Sequence, residues 1–359
     1  MNRRKFLTGA ASGAAALTGL AATGVGQAQA PAGAPPAGVA QGGGGAGGRG
    51  RGGSPANVSA AKLARIEIMT LNHSYMIKLP WQEATPERTL DIFDIGRFYV
   101  EAYGVKNVQF QSNHIAQNND QPDLEYVKQL RASLDKAGAK ANQINIEIGT
   151  MATWPAGQAK AAALEGEARA AWLARAKKWV DLAPVLGVNV LMHNQGTLND
   201  DSKTGFIALW KEIQDYARPK GIMISGETRG SGAPTQGGNR GQGAPATPPP
   251  PQPAVSSQER MRMVYGLLVE CTNAANAYTN LDFGGETRFH NQEELHGAIK
   301  AMLPRNSGGM HTRVSPTWDL GTAIRYAESI GYKGRYAIEV NQDAAVRQIY
   351  SAILGALPA

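Results

Sequence analysis

Gly221-Ile222-Met223-Ile224-Ser225-Gly226-Glu227 is the stretch on which the fold turns. Before it, Phe206, Leu209, Trp210, Ile213, Tyr216 and Ala217 recur three and four apart, the spacing of a helix with one apolar face. A glycine just past a helix end supplies a left-handed cap. The stretch therefore reads as helix, cap, strand, and a carboxylate at the strand's end. The cap recurs at Gly104-Val105, Gly138-Ala139, Gly187-Val188 and Gly334-Arg335, and Trp172, Ala176, Trp179, Val180 and Ala183 repeat the helical spacing. Strand-like runs fall at 66–69, 107–110, 142–148, 189–192, 222–225, 278–282, 308–314 and 336–340. Eight strand-helix repeats predict an α/β fold, a single closed parallel (β/α)8 TIM barrel, with a doubly wound open sheet as the alternative. The barrel is favoured because no Gly-rich dinucleotide turn follows the first run and eight repeats are the number that closes.

In a parallel barrel the C-terminal ends of the strands converge on one mouth. Four polar residues close the last four apolar runs: Glu227, Asp282, His311 and Glu339. Taken singly, each has an ordinary role as a cap, a surface ion pair or a core histidine. Together, three carboxylates in one cleft repel one another unless a cation sits among them, and a divalent ion suits mixed oxygen and nitrogen ligands. Magnesium prefers an all-oxygen shell, so the histidine points to one ion of manganese, cobalt or zinc. Thiolate ligation is excluded from this set because Cys271, the only cysteine, lies in an apolar helical stretch and reads as core filler.

The order Glu, Asp, His, Glu on the last four strands resembles the xylose isomerase-like barrel superfamily of sugar phosphate isomerases and epimerases. The resemblance spans about residues 62–357 and rests on Ser225-Gly226-Glu227-Thr228, Asn280-Leu281-Asp282-Phe283-Gly284, Gly309-Met310-His311 and Ala337-Ile338-Glu339. It implies that Glu227, Asp282, His311 and Glu339 hold one divalent ion, and that Glu227 and Glu339 also move protons on opposite faces of a sugar. Chelation of a sugar's hydroxyl and carbonyl would acidify the neighbouring C–H and stabilise an enediolate, within reach of a carboxylate base. This chain departs from many such epimerases: Gly285 stands where a histidine follows the aspartate, Thr317 where an arginine follows the metal histidine, although Arg313 is closer, and the second strand ends in Gln109-Phe110-Gln111 without a glutamate. Six histidines in the whole chain are too few for the multi-metal centre of the related apurinic endonuclease barrels.

Further polar residues near strand ends are candidates for binding substrate: His114, Trp154, His193, Asn341 and Arg313. Trp154 suits stacking on a sugar face. The expected activity is a metal-dependent sugar isomerase or epimerase working by proton transfer. The alternatives are a lyase or hydratase acting on oxidised (3-keto) glycosides with the same metal, and a non-catalytic carbohydrate-binding barrel.

Outside the barrel, Asn2-Arg3-Arg4-Lys5-Phe6-Leu7 and the weakly apolar Ala/Gly/Thr/Leu stretch after it resemble a twin-arginine export signal over residues 1–30, predicting a periplasmic or extracellular location. The stretch is too poor in strongly apolar residues for a stable membrane span. Residues 31–60 form a Gly/Ala/Pro-rich tract expected to be a flexible linker, followed by the barrel over 61–359. A second low-complexity segment, 230–254, is inserted after the fifth strand. The net charge of +7 owes five charges to Arg3, Arg4, Lys5, Arg49 and Arg51, ahead of the first acidic residue, Glu67. The remaining chain is nearly neutral, which removes the electrostatic footprint of a nucleic-acid partner. The expected partner is a small-molecule carbohydrate, with a homo-oligomer left open.

Overall fold

A computed structural model describes residues 58–153, 161–228, 256–284, 288–340 and 342–358. The export signal, nearly all of the linker, Trp154, the 230–254 insertion, Gly285 and Asn341 lie outside the described residues. Eight parallel strands close a barrel: β1 Ile66–Met69, β2 Asn107–Gln111, β3 Lys140–Ile146, β4 Val190–His193, β5 Met223–Glu227, β6 Tyr278–Asp282, β7 Asn306–Thr312 and β8 Arg335–Ile338. Each pairs with its neighbours in sequence, and β1 closes the ring by pairing with both β2 and β8. The main helices of the outer layer are α1 Ile95–Tyr103, α2 Leu124–Lys136, α3 Gly166–Leu186, α4 Lys203–Ala217, α5 Leu267–Ala275, α6 Gln292–Met302, α7 Leu320–Ser329 and α8 Asp343–Ala356. None of the described helices is long and apolar enough to cross a membrane.

Successive strand residues face opposite sides of a sheet, and here the two sides differ in chemistry. Ile66, Ile68, Val108, Phe110, Ile144, Ile146, Leu281 and Met310 are buried in the apolar core. The residues between them are polar and equally buried: Glu67, Gln109, Gln143, Asn145, Asn280 and His311. Gln143 Nε2 donates to Asn145 Oδ1 (3.0 Å) and, from β3 to β6, to Asn280 Oδ1 (3.5 Å). This barrel is therefore filled by hydrogen-bonding side chains where branched aliphatic layers are the common solution. The helical layer carries the bulky apolar groups, with Trp172, Trp179 and Trp210 fully buried, and Cys271 is buried there as a free thiol.

The glycine punctuation holds at Gly104, Gly138, Gly187 and Gly221, all with positive φ. It fails at Gly334. The left-handed residue after α7 is Gly331 (φ 95°), and Gly334 serves close approach: a Cβ there would lie 2.5 Å from Tyr332 Oη and 2.6 Å from the Gly308 carbonyl oxygen. One left-handed cap escaped the glycine rule, because Asn276 (φ 54°) ends α5, a conformation asparagine tolerates better than most residues.

Candidate metal centre

Glu227 ends β5, Asp282 ends β6, His311 lies near the end of β7 and Glu339 follows β8. Backbone clamps fix both glutamates. Gln195 accepts from the Glu227 N–H (3.0 Å) and donates to its carbonyl. Asn72 donates to the Ile338 carbonyl (2.8 Å) and accepts from Val340 N–H (2.8 Å), gripping the chain on either side of Glu339. Between them, Thr228 stitches β5 to β6: its hydroxyl accepts from Asp282 N–H (3.0 Å) and donates to the Asp282 carbonyl (2.8 Å). Neither Gln195 nor Asn72 carries a sequence signal beyond lying just past a strand.

All four side chains are buried, and one potential ligand atom from each lies within 4.8 Å of all the others. His311 Nδ1 is 2.9 Å from Glu227 Oε1 and 2.9 Å from Glu339 Oε2. Burial alone would lower the His311 pKa, but the Glu339 and Glu227 carboxylates outweigh it and push the imidazole up to about 10. On its other side, His311 Nε2 is 2.7 Å from Gln109 Nε2, whose amide is oriented by a second bond to Asn145 Oδ1 (2.7 Å). Gln109, singled out only as a departure from the family pattern, thus supports His311.

Two arginines complete the centre. Arg313 contacts Glu339 directly and Asp282 Oδ1 at 3.5 Å. Arg288 contacts Asp282 Oδ2 and donates to the Asp282 carbonyl (3.2 Å). Burial opposes both charges, yet Asp282 and its neighbouring carboxylates raise both guanidinium pKa values above the ordinary arginine range. Arg288 has a scaffold of its own. Arg260, buried and paired with Glu294, donates to the Arg288 carbonyl (2.7 Å).

The donor set fits a divalent ion. Ligand atoms within 4.8 Å of one another match a single cation held at about 2.0–2.6 Å. Asp282 Oδ2 and Glu339 Oε2 are buried and are met only by the charged groups Arg288 and His311, and a carboxylate oxygen engaged once keeps a further lone pair to donate.

Of the residues expected to bind substrate, Arg313 joins the centre. His193 is turned to the helical layer, its ring between Trp172 and Trp210 (5.3 and 5.7 Å between centroids) and its Nε2 2.7 Å from Met151 Sδ. His114 is 3% exposed, with Nδ1 2.8 Å from Thr70 Oγ1 and Nε2 3.3 Å from Ser74 Oγ. Arg288 was missed: it sits six residues beyond Asp282 in a loop with no motif.

No protein-family model matches the chain, and no curated protein matches it. Several solved structures share its fold. One is a xylose isomerase-like TIM barrel protein from Mycobacterium smegmatis in complex with magnesium, at 14% identity over 84% of this chain and 100% of that one, with a TM-score of 0.51. The IOLI protein with a bound zinc atom aligns at 12% identity over 81% and 95%, TM-score 0.50. D-psicose 3-epimerase in the presence of D-fructose aligns at 13% identity over 80% and 89%, TM-score 0.50. At such identities the likeness establishes the barrel.

Proposed function

We propose that this chain is a divalent-metal-dependent sugar isomerase or epimerase of the xylose isomerase-like kind, acting by proton transfer. The observation that carries the reading is the convergence of Glu227, Asp282, His311 and Glu339 from four successive strand ends to within 4.8 Å. A divalent ion held there would act as a Lewis acid on the oxygens of a sugar carbonyl and its adjacent hydroxyl. The donor set, three carboxylates and an imidazole, favours manganese, cobalt or zinc over magnesium. Two solved barrels of this fold carry zinc and magnesium respectively, so the fold by itself does not choose the metal.

The protein's own groups supply the proton chemistry. Glu227 Oε1 and Glu339 Oε2 each lie 2.9 Å from His311 Nδ1, so two carboxylates from different strand ends face one small volume. A base on one side of a substrate carbon and an acid on the other is the arrangement that inverts or relocates a proton. Asp282 is less suited to that role, because Gly284 N–H (2.6 Å), Arg288 and Arg313 all engage its carboxylate. We further propose that the chain is exported through its arginine pair and acts on a small carbohydrate outside the cytoplasm.

Calorimetric metal titration and deuterium exchange from solvent into a bound ketose test the reading together. Asp282→Asn and His311→Ala should weaken metal binding at least about tenfold, each removing one of few ligands. Glu227→Gln and Glu339→Gln should also abolish exchange, since an amide is not a base. A wild type that binds no divalent ion, or variants that bind as tightly as it does, would refute the assignment.

A further inference from the structure

We infer that Asn145, Gln143 and Glu67 are positioning residues for the metal centre: with Gln109 they form a relay of carboxamides that runs from His311 across the barrel to a buried carboxylate and holds the imidazole in the tautomer able to ligate through Nδ1. The inference rests on the metal-dependent reading above. His311 Nδ1 is the ring nitrogen that faces the centre, 2.9 Å from Glu227 Oε1 and from Glu339 Oε2. A ring that gives this lone pair to an ion carries its proton on Nε2, and that proton needs an acceptor. Two carboxamides stand there, Gln109 Nε2 at 2.7 Å and Gln143 Nε2 at 3.4 Å. In the orientation the structure shows, both turn NH2 toward His311 Nε2, which suits the opposite tautomer. A half-turn of each amide puts its oxygen in nearly the same place, and Gln109 Oε1 is buried without a hydrogen bond.

The half-turns are coupled. Gln109 Nε2 donates to Asn145 Oδ1 at 2.7 Å, and Gln143 Nε2 donates to the same oxygen at 3.0 Å. If either glutamine turns alone, its oxygen meets the Asn145 oxygen and a bond becomes a repulsion. If all three turn, the two protons of the Asn145 NH2 group serve the two glutamine oxygens, and Gln109 Oε1 accepts from both Asn145 and His311 Nε2. The relay therefore has two self-consistent orientations, one for each neutral tautomer of His311, and every mixed one breaks a bond.

The far end selects between them. With NH2 toward His311, Gln143 points Oε1 at the gap left by Gly309. A Cβ there would have three oxygens as its nearest neighbours beyond the adjoining residues: Gln143 Oε1 at 3.5 Å, Glu67 Oε2 at 3.6 Å and Asn280 Oδ1 at 4.0 Å. Three acceptors around one gap repel one another. Turned over, Gln143 brings its NH2 group to that gap. Glu67 is fully buried, its Oε1 has no hydrogen bond, and its Oε2 meets Arg335 Nε at 3.5 Å. A carboxylate engaged so lightly keeps lone pairs for a donor and has no proton to offer in return. Glu67 thus favours the orientation that gives His311 Nε2 an acceptor, acting through Gln143 and Asn145.

The test titrates the full chain calorimetrically with zinc, which is diamagnetic. Asn145→Asp and Gln109→Glu keep the shape of the native side chains, and each adds one negative charge near His311, so charge alone predicts tighter zinc for both. The relay predicts opposite signs. The carboxylate of Asn145→Asp only accepts, which holds both glutamines with NH2 toward His311 Nε2 and should weaken zinc about tenfold. Gln109→Glu places an acceptor at Nε2 and should bind zinc at least as tightly as wild type. Glu67→Gln should weaken zinc about threefold or more in the wild-type background and leave the Gln109→Glu affinity unchanged, because there the tautomer no longer depends on the far end. Thermal melts of the metal-free variants establish that they are folded. Nitrogen NMR of histidine-labelled, zinc-loaded wild type, with His311→Ala identifying the signal, should show His311 protonated at Nε2, and this measurement needs no relay variant to fold. Asn145→Asp and Gln109→Glu shifting the affinity the same way, an equal Glu67→Gln effect in both backgrounds, or a zinc-loaded His311 protonated at Nδ1 overturns the inference. A wild type that takes up no zinc overturns the metal reading and this inference together. One that takes up zinc while the variants or the spectrum fail overturns only this inference.

Discussion

His114 shows how a single buried side chain ties stability to pH. Burial, with a smaller contribution from the Arg88 charge, depresses its pKa from 6.5 to about 4. The folded state thus prefers the neutral ring that bonds to Thr70 and Ser74. A depressed folded pKa contributes stability that is fully present above 6.5 and is lost as pH falls through about 4, because the unfolded chain takes up its proton first. The contribution is at most about 3 kcal/mol. Glutamine at this position keeps a hydrogen-bonding group and has no proton to gain. Urea midpoints at pH 7 and pH 4 should therefore fall more for the wild type than for His114→Gln, by about 1–3 kcal/mol in unfolding free energy. Parallel losses would show that other groups govern the acid limb. Comparing the two proteins also cancels His73, which burial likewise lowers.

At the scale of elements, β5 is positioned by a residue that is small for a steric reason. A Cβ on Gly226 would lie 2.6 Å from Trp210 Cζ2 on α4 and 2.9 Å from Leu268 Cδ1 on α5, with Gln195 Oε1 at 3.2 Å. Trp210 is fully buried, so its ring has no room to give. Gly226→Ala should cost about 1–3 kcal/mol by overpacking. It should also weaken metal binding, since the displaced strand carries Glu227 and disturbs its Gln195 clamp. Gly309→Ala on β7 is the control, its nearest contact being an ordinary 3.5 Å. Melting temperature and metal affinity should fall together in the first variant and much less in the second; equal behaviour would remove the packing account. The same strands show what was legible in the sequence. The run 278–282 coincides with β6, and 66–69 with β1, because apolar alternation and a polar end are local signals. The run for β7 was placed two residues late, at 308–314 against 306–312, since Gly308-Gly309 obscures the alternation near its start. Gly334 was misjudged because glycine serves tight packing as well as left-handed caps. That Glu227, Asp282, His311 and Glu339 fall at or near strand ends was legible. Arg288, Gln109, Gln195 and Asn72 were not, because their roles depend on contacts made across the barrel or from loops.

Across the whole molecule, the centre sets a competition between the protein's own cations and a bound ion. Without metal, Arg288 and Arg313 compensate the carboxylates; with metal, the same guanidiniums repel the ion, and Arg288 occupies Asp282 Oδ2, one of the donor oxygens. Metal should therefore stabilise the fold, but by less than it would around uncompensated carboxylates. At a free concentration a hundred times the dissociation constant, linkage gives about 2.7 kcal/mol. At roughly 2–4 °C per kcal/mol for a domain of this size or slightly smaller, that is a rise of about 5–10 °C over chelated protein. Arg288→Met separates the two effects. Its loop stays anchored because Arg260 holds the Arg288 carbonyl rather than the side chain, and Glu294 pairs with Arg260. Removing the guanidinium leaves Asp282 less compensated, so the chelated variant should melt below chelated wild type. It also frees a ligand oxygen and removes a like charge, so metal should bind the variant more tightly. The interval between chelated and metal-saturated melting temperatures should then be wider in Arg288→Met than in wild type. Scanning calorimetry of both proteins, with chelator and with a common excess of manganese, measures that interval. A narrower or equal interval would mean that Arg288 cooperates with the ion instead of competing with it, and that the carboxylates at the barrel mouth are shared between metal and arginine in the loaded state.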